Sequence, residues 1–255
     1  MTRTTAMQNK TSACFLRPKP VIDPRARLFC FPYAGGSAAI YHQWPAHLPT
    51  DVELLAIQYP GRASRLREPP CTQLDVLLDE IEQGIAPLFE RPFAFFGHSM
   101  GASVAFELTR RMVAADKPLP QQLFLSGRTA PQLAQETLPI HALPEREFID
   151  ALRTLNGTPT ELLEHSELME MMLPTLRADF QSLETWEYRA TAPLNIPISV
   201  FGGIEDKSVP IEKLEAWADC TTHKLKRHLF PGDHFFLHQQ SLGMLNIIGR
   251  ALGNS

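Results

Sequence analysis

Phe93-Ala94-Phe95-Phe96-Gly97-His98-Ser99-Met100-Gly101-Ala102 decides how this chain is read. Four apolar residues lead into Gly-x-Ser-x-Gly, and an amphipathic run, Ser103 to Val113, follows at once. That order predicts strand, tight turn, helix. A serine in such a turn is forced into a strained backbone conformation that lifts its hydroxyl clear of the sheet. Glycine is needed on both sides because a Cβ at either place would collide with the neighbouring strand or helix. The helix also aims its free N–H groups and positive dipole end at the place where an oxyanion would form. The five-residue pattern alone is short, and a serine loop with two turn glycines would show the same letters. The strand before it and the helix after it make it a nucleophile elbow, with Ser99 the candidate nucleophile of a hydrolase.

Outward from the elbow, strands alternate with helices. Arg27 to Phe31 predicts a buried strand ending at Pro32, and Val52 to Tyr59 a second, closed by Pro60-Gly61. Leu74, Leu77, Leu78, Ile81, Ile85 and Leu88 have helical spacing over Leu74 to Phe89. Beyond the elbow, Gln122 to Ser126, Ile198 to Phe201 and Lys224 to Phe230 predict strands. Leu214 to Ala218 predicts a short helix, and Phe235 to Leu252 a final one. Such alternation implies an α/β fold, with a mostly parallel central sheet and helices on both faces.

One block departs from the alternation. Between Ser126 and Ile196 only helical patterns occur: Glu145 to Leu155, Thr160 to Met172 and Leu173 to Tyr188. A crossover needs only about a dozen residues. The block therefore reads as a helical lid insertion over the C-terminal edge of the sheet, where sites in such folds lie. The expected division is a flexible N-terminal tail over residues 1–25, dotted with Pro18, Pro20 and Pro24, a core of 26–130 with 191–255, and a lid of 131–190.

Bulk properties narrow the class. The 255 residues, 44% of them hydrophobic, suit one α/β domain with a sizeable core. A formal net charge of -4 lacks the basic surplus of a nucleic-acid binder. No stretch approaches the ~20 apolar residues of a membrane span, and Met1 to Lys10 lacks the apolar core of a signal peptide. Cys14, Cys30, Cys71 and Cys220 show no Cys-x-x-Cys spacing, so no disulfide framework and no metal site is expected. Cys30 falls inside a predicted buried strand, as a small core residue. A soluble cytoplasmic protein, expected to be a monomer, fits these features.

A serine hydroxyl is a poor nucleophile near neutrality and needs a histidine base oriented by a carboxylate. In elbow-type hydrolases the chain order is serine, acid, histidine. His42, His47 and His98 precede Ser99, and His141 and His165 fall in the lid. His223 and His228 flank or occupy the last strand, and His238 lies in the last helix. His234 alone stands in a Pro-Gly-Asp-His loop just after that strand, which makes it the candidate base. For the acid, Asp206 follows the strand Ile198 to Phe201 and a Gly-Gly turn. Glu205 is its neighbour and rival; Asp233 adjoins His234 and is poorly placed to reach its ring. The order rule favours Asp206, and turn chemistry alone does not separate it from Glu205. One oxyanion donor should be the N–H of Met100, the residue after the nucleophile, and a second should come from the loop Phe31-Pro32-Tyr33-Ala34-Gly35-Gly36-Ser37.

Together these pieces resemble the type II thioesterases that accompany modular polyketide synthases and nonribosomal peptide synthetases. The matching segments are Phe31 to Gly36, Tyr59-Pro60-Gly61-Arg62, Gly97 to Ala102, Ser126-Gly127-Arg128, Leu176 to Phe180, Phe201-Gly202-Gly203 with Asp206, and Pro231 to Phe236. The medium-chain thioesterases of fatty acid synthase look similar. The resemblance implies an α/β-hydrolase fold with a flexible helical lid, Ser99, Asp206 and His234 as a triad, and Ala34 and Met100 as oxyanion donors. It implies acyl groups in thioester linkage to the phosphopantetheine arm of an acyl or peptidyl carrier protein as substrate, with no cofactor of the enzyme's own. A carboxyl-ester hydrolase or lipase could use the same triad, and an inactive α/β-hydrolase-fold binding protein could dispense with it.

Met169, Met171 and Met172 are flexible enough to line an acyl pocket, although each is better explained as a helix core contact. Arg62, Arg65 and Arg67 form a basic loop suited to an acidic carrier, although a solvated turn explains it better.

Overall fold

The computed structural model describes residues 14–133, 138–155 and 166–253. The apolar strand runs are buried on both faces because helices cover both sides of the sheet. In chain order the strands are β1 (Phe15–Leu16), β2 (Ala26–Phe31), β3 (Val52–Ile57), β4 (Phe93–His98), β5 (Leu123–Ser126), β6 (Ile198–Gly203) and β7 (Lys226–Phe230). They lie in the order β1-β3-β2-β4-β5-β6-β7, with every pair parallel except β1 against β3. The helices are α1 (Leu74–Ile85), α2 (Met100–Ala114), α3 (Glu145–Leu155), α4 (Ser166–Glu184), α5 (Ile211–Glu215), α6 (Phe236–Gln239) and α7 (Ser241–Gly253).

The period of two along each strand divides the core. Phe29, Phe31, Phe93 and Phe95 point to the face covered by α1 and α2. Leu28, Cys30, Ala94 and Phe96 point to the other face, against Tyr41, Trp44 and α7. Phe29 meets Phe93 and Phe95 edge-on, with ring centroids 5.8 and 5.7 Å apart, a favoured aromatic geometry. A third cluster, Phe148, Leu152, Met169, Leu173 and Leu176, joins α3 to α4 between β5 and β6.

Four sequence expectations change in the folded chain. Residues 14–25 are not loose: β1 pairs antiparallel with the outer edge of β3, Phe15 opposite Ile57, and Arg17 forms an ion pair with buried Glu53. An unpaired β3 edge would leave a row of backbone groups open, and this short strand covers part of it before Pro18 stops it. The expected break at Leu173 is absent, since α4 runs through Pro174. Pro174 is exposed, so the hydrogen bond its ring removes lies on the solvent side, where water can replace it. Residues 160–165 of that expected pair of helices lie outside the described residues. The final helix is two, α6 and α7, separated by Gln240 at φ -104° and ψ 13°. The methionines divide by helix face: Met169 is core, Met171 is exposed, and Met172 reaches toward Gly35.

Candidate active site

β4 ends at His98 and α2 begins at Met100, so Ser99 alone makes the turn. Its φ of 52° and ψ of -113° belong to a region that side chains rarely occupy. The surroundings enforce it. The Ser99 N–H donates to the Ser126 carbonyl at 2.8 Å. A Cβ on Gly97 would strike the carbonyl of Gly101, and a Cβ on Gly101 would strike the carbonyl of Phe31. Both obstacles are backbone, so neither can swing aside. Ser99 stays half-exposed while Met100 is fully buried. Met100 opens α2, and its N–H has no intrahelical carbonyl before it.

The acid and the base come from neighbouring loops. Gly203 is opposite Phe230, so the loops after β6 and β7 leave the same edge side by side. They are laced by Ile204 N–H to Phe230 C=O at 2.9 Å and Glu205 N–H to Gly232 C=O at 3.0 Å. This brings the Asp206 Oδ2 to 2.7 Å from the His234 Nδ1. The Asp206 Oδ1 accepts from the Ser208 N–H at 2.9 Å, the Ser208 hydroxyl at 2.6 Å and the Val209 N–H at 3.2 Å. Burial opposes the charge on Asp206, but the hydrogen bonds from His234 and Ser208 outweigh it and hold the carboxyl down at about 2. Glu205 is exposed, and the Asp233 Oδ1 is taken by the Phe235 N–H at 2.8 Å.

The His234 ring is buried and lies 5.2 Å, centroid to centroid, from the ring of His98, the residue before Ser99. His98 is fully buried, with its Nδ1 2.8 Å from the Ser126 hydroxyl. Burial, then the neighbouring His234, drives its pKa well below the ordinary value, so His98 is a neutral wall of the site.

The loop after β2 faces the elbow. The Gly36 N–H donates to the Tyr33 carbonyl at 2.9 Å, closing a turn with Ala34 and Gly35 at its centre. Gly35 has φ 75°, the positive value that a type II turn needs at its third residue. Its N–H donates to the Asp179 Oδ2 on α4 at 2.7 Å. A Cβ on Gly35 would lie 2.6 Å from the Leu176 Cδ2, so α4 rests directly on this loop.

A strained Ser-turn, a buried Asp-His pair and a glycine turn thus share one sheet edge. The family model of the thioesterase domain matches residues 26–252. The chain belongs to the thioesterase family. This thioesterase is 42% identical to the protein named linear gramicidin dehydrogenase LgrE of Brevibacillus parabrevis, over 94% of this chain and 93% of that one. It is 41% identical to the gramicidin S biosynthesis protein GrsT of Aneurinibacillus migulanus, over 89% of each. Among solved structures it superposes on the type II thioesterase BorB from the borrelidin biosynthetic cluster with a TM-score of 0.86, at 35% identity, covering 94% of this chain and 98% of that one. The fold is the α/β-hydrolase fold. The word dehydrogenase is part of that relative's name. Among the described residues no group of three or more His, Cys, Asp or Glu could hold a metal ion, and no helix is long and apolar enough to cross a membrane.

The expected basic docking loop is not a surface feature. Arg62 is buried against Asp179, Nη1 to Oδ2 at 2.6 Å and Nη2 to Oδ1 at 2.7 Å. Arg65 is buried against Glu68 and Glu80, and only Arg67 is exposed. Neither docking nor solvation describes the first two, because both guanidiniums are taken up by carboxylates: Arg62 by Asp179, 117 positions away, and Arg65 by nearby Glu68 together with Glu80.

Several contributors had no reading of their own in the sequence. Ser208 braces Asp206 and lies 3.2 Å from the His234 Nδ1; an Asp-x-Ser turn is its faint signal. Ser126 serves both Ser99 and His98. Arg128, two residues further on, accepts from the Trp217 Nε1 through its carbonyl at 2.8 Å, and burial lowers its guanidinium to about 10.

Proposed function

We propose that this thioesterase hydrolyses acyl groups from the phosphopantetheine arm of acyl or peptidyl carrier proteins, editing or unblocking a polyketide or nonribosomal peptide assembly line through an acyl-serine intermediate. The observation that carries the reading is the buried Asp206–His234 pair at the same sheet edge as the strained Ser99 turn. His234 takes the Ser99 proton, Ser99 attacks the thioester carbonyl, and the pantetheine thiol leaves with a proton from His234. Water, deprotonated by His234, then releases the acid. Asp206 keeps the Nδ1 proton on its own side, so that Nε2 is free to accept. The amides of Ala34 and Met100 hold the tetrahedral oxyanion.

Residues 131–190 act as the cover of this site. Its support is the seat of Leu176 and Met172 on Gly35 and the cluster that binds α3 to α4. A long arm needs a channel rather than an open cleft, and a helical cover over the strand ends supplies its walls. All four cysteines are free, as suits a cytoplasmic enzyme.

The test is to present the protein with several acyl-loaded carriers and follow release by intact-protein mass spectrometry, beside simple oxygen esters of the same acyl groups. Faster release from carriers, lost in Ser99→Ala, supports the reading. Equal or faster turnover of oxygen esters replaces it with an ester hydrolase, and no turnover with no fluorophosphonate labelling of Ser99 replaces it with a binding protein.

A further inference from the structure

The Asp179–Arg62 pair is costly to bury and lies outside the Ser-His-Asp chemistry. Both side chains are nearly sealed from solvent, at 2% and 6% exposure, and taking two charges out of water is repaid only by close, well-aligned bonds. The pair has those bonds. It also has a third partner: the Asp179 Oδ2 that takes Arg62 also takes the Gly35 N–H at 2.7 Å. The Arg62 Nη1 in turn reaches the Gly36 carbonyl at 3.4 Å, and its Nε the Pro60 carbonyl at 3.2 Å.

The Gly35 contact falls on a soft joint of the loop after β2. In a β-turn the peptide between the two central residues can flip, which converts type II into type I. Here that peptide joins Ala34 to Gly35. Flipping it would turn the Gly35 N–H away from Asp179 and bring the Ala34 carbonyl oxygen round toward the carboxylate, oxygen against oxygen. Asp179 therefore selects one state of the turn. A bare carboxylate so near would oppose a developing oxyanion, and Arg62 cancels that charge while holding the carboxylate in aim.

We propose that Asp179 is a positioning residue for hydrolysis: through the Gly35 amide it fixes the turn that presents the Ala34 N–H, and Arg62 neutralises and aims it. The inference rests on the functional reading above. Asp179 lies on α4, whose Thr175 hydroxyl also donates to the Gly61 carbonyl at 2.8 Å. The cover and the oxyanion loop are thus fastened by one stretch of helix, and seating the cover completes the hole.

The test measures kcat and KM on an acyl-pantetheine, with affinity for a trifluoromethyl ketone analogue of the tetrahedral state, counting only active sites that give a burst. In Asp179→Ala, kcat should fall ~10–100-fold, less than the loss of a whole oxyanion donor. KM should stay within ~3-fold, and analogue affinity should fall in step with kcat. Asp179→Asn keeps an acceptor oxygen for Gly35 and should recover most of the loss. Should Asp179→Ala not fold, Arg62→Met combined with Asp179→Leu replaces the pair with apolar volume, a change buried ion pairs often tolerate, and must show the same kcat loss. Wild-type kcat per active site in either folded variant, a loss confined to KM, or equal losses in the Ala and Asn variants would overturn the proposal. If wild type itself fails to release acyl groups, the functional reading has failed instead.

Discussion

Replacing Asp206 by Asn tests the proposed chemistry with little change of shape. The Asn carbonyl can keep all three bonds now made to Oδ1, from Ser208 N–H, Ser208 hydroxyl and Val209 N–H. Its amide then faces the His234 Nδ1, now 2.7 Å from Oδ2. A donor there forces Nδ1 to accept, so the ring proton moves to Nε2, and the base can no longer take the serine proton. An inverted tautomer costs ~10⁴ in kcat, or about 5 kcal/mol of transition-state stabilisation. The Ser208 hydroxyl, 3.2 Å from Nδ1, can accept in place of the lost carboxylate. Asp206→Asn with Ser208→Ala should therefore fall further, by ~10-fold. Stability changes in a separable way. The Asp206 carboxyl lies at about 2 rather than 3.8, worth about 2 kcal/mol near neutrality. Because the folded value is depressed, that stability is present above pH ~4 and is lost as pH falls toward ~2. The Asn variant should melt about 5 °C lower at pH 7 and lack this acid dependence. Single-turnover release from an acyl-carrier, with parallel melting curves, measures both. Turnover within ~10-fold of wild type at pH 7 would refute the relay.

Gly101→Ala should lose ~3 kcal/mol or more in denaturant unfolding, because its methyl would meet the fixed carbonyl of Phe31 rather than a movable side chain. His98 is buried neutral, with its folded pKa depressed from 6.5. The unfolding free energy should therefore shrink by up to ~1.4 kcal/mol per pH unit below about 6.5, and calorimetry from pH 7 to 5 should find a weaker slope in His98→Gln. Hydrogen exchange should be slower over residues 175–184 of α4, clamped by Thr175 and Asp179, than over residues 166–173; uniform protection would contradict that clamp.

Residues 93–102 carried the centre of the fold because their constraints are local. A Cβ-free position two residues either side of a strained serine is a steric demand that neighbours in sequence impose on each other. The alternation of apolar runs and 3.6-residue patterns likewise placed six strands and the parallel sheet, since burial on both faces leaves a continuous apolar signature. β1 escaped because two residues beside prolines carry no period, and its partner, β3, is recognised only once the sheet has an edge. The expected break at Leu173 did not form because whether a helix tolerates Pro174 depends on which side of it meets water.

For the site, serine-acid-histidine order named Ser99, Asp206 and His234 but left Glu205 as a rival. Only the lacing of the β6 and β7 loops turns Asp206 inward toward His234 and leaves Glu205 in solvent. The arginines show the same limit more sharply. In sequence Arg62, Arg65 and Arg67 are like charges on one loop; Glu68 stands within reach of Arg65, but the partner of Arg62 is invisible until the chain is folded. Asp179 stands 117 positions from Arg62, and no local pattern measures that separation. Sequence determined what each short segment must be, because strain, periodicity and turn chemistry act over a few bonds. Tertiary structure alone decided which charges meet, which carboxylate is dry, and which loop amide a distant carboxylate holds, because hydrogen bonds and desolvation act across space.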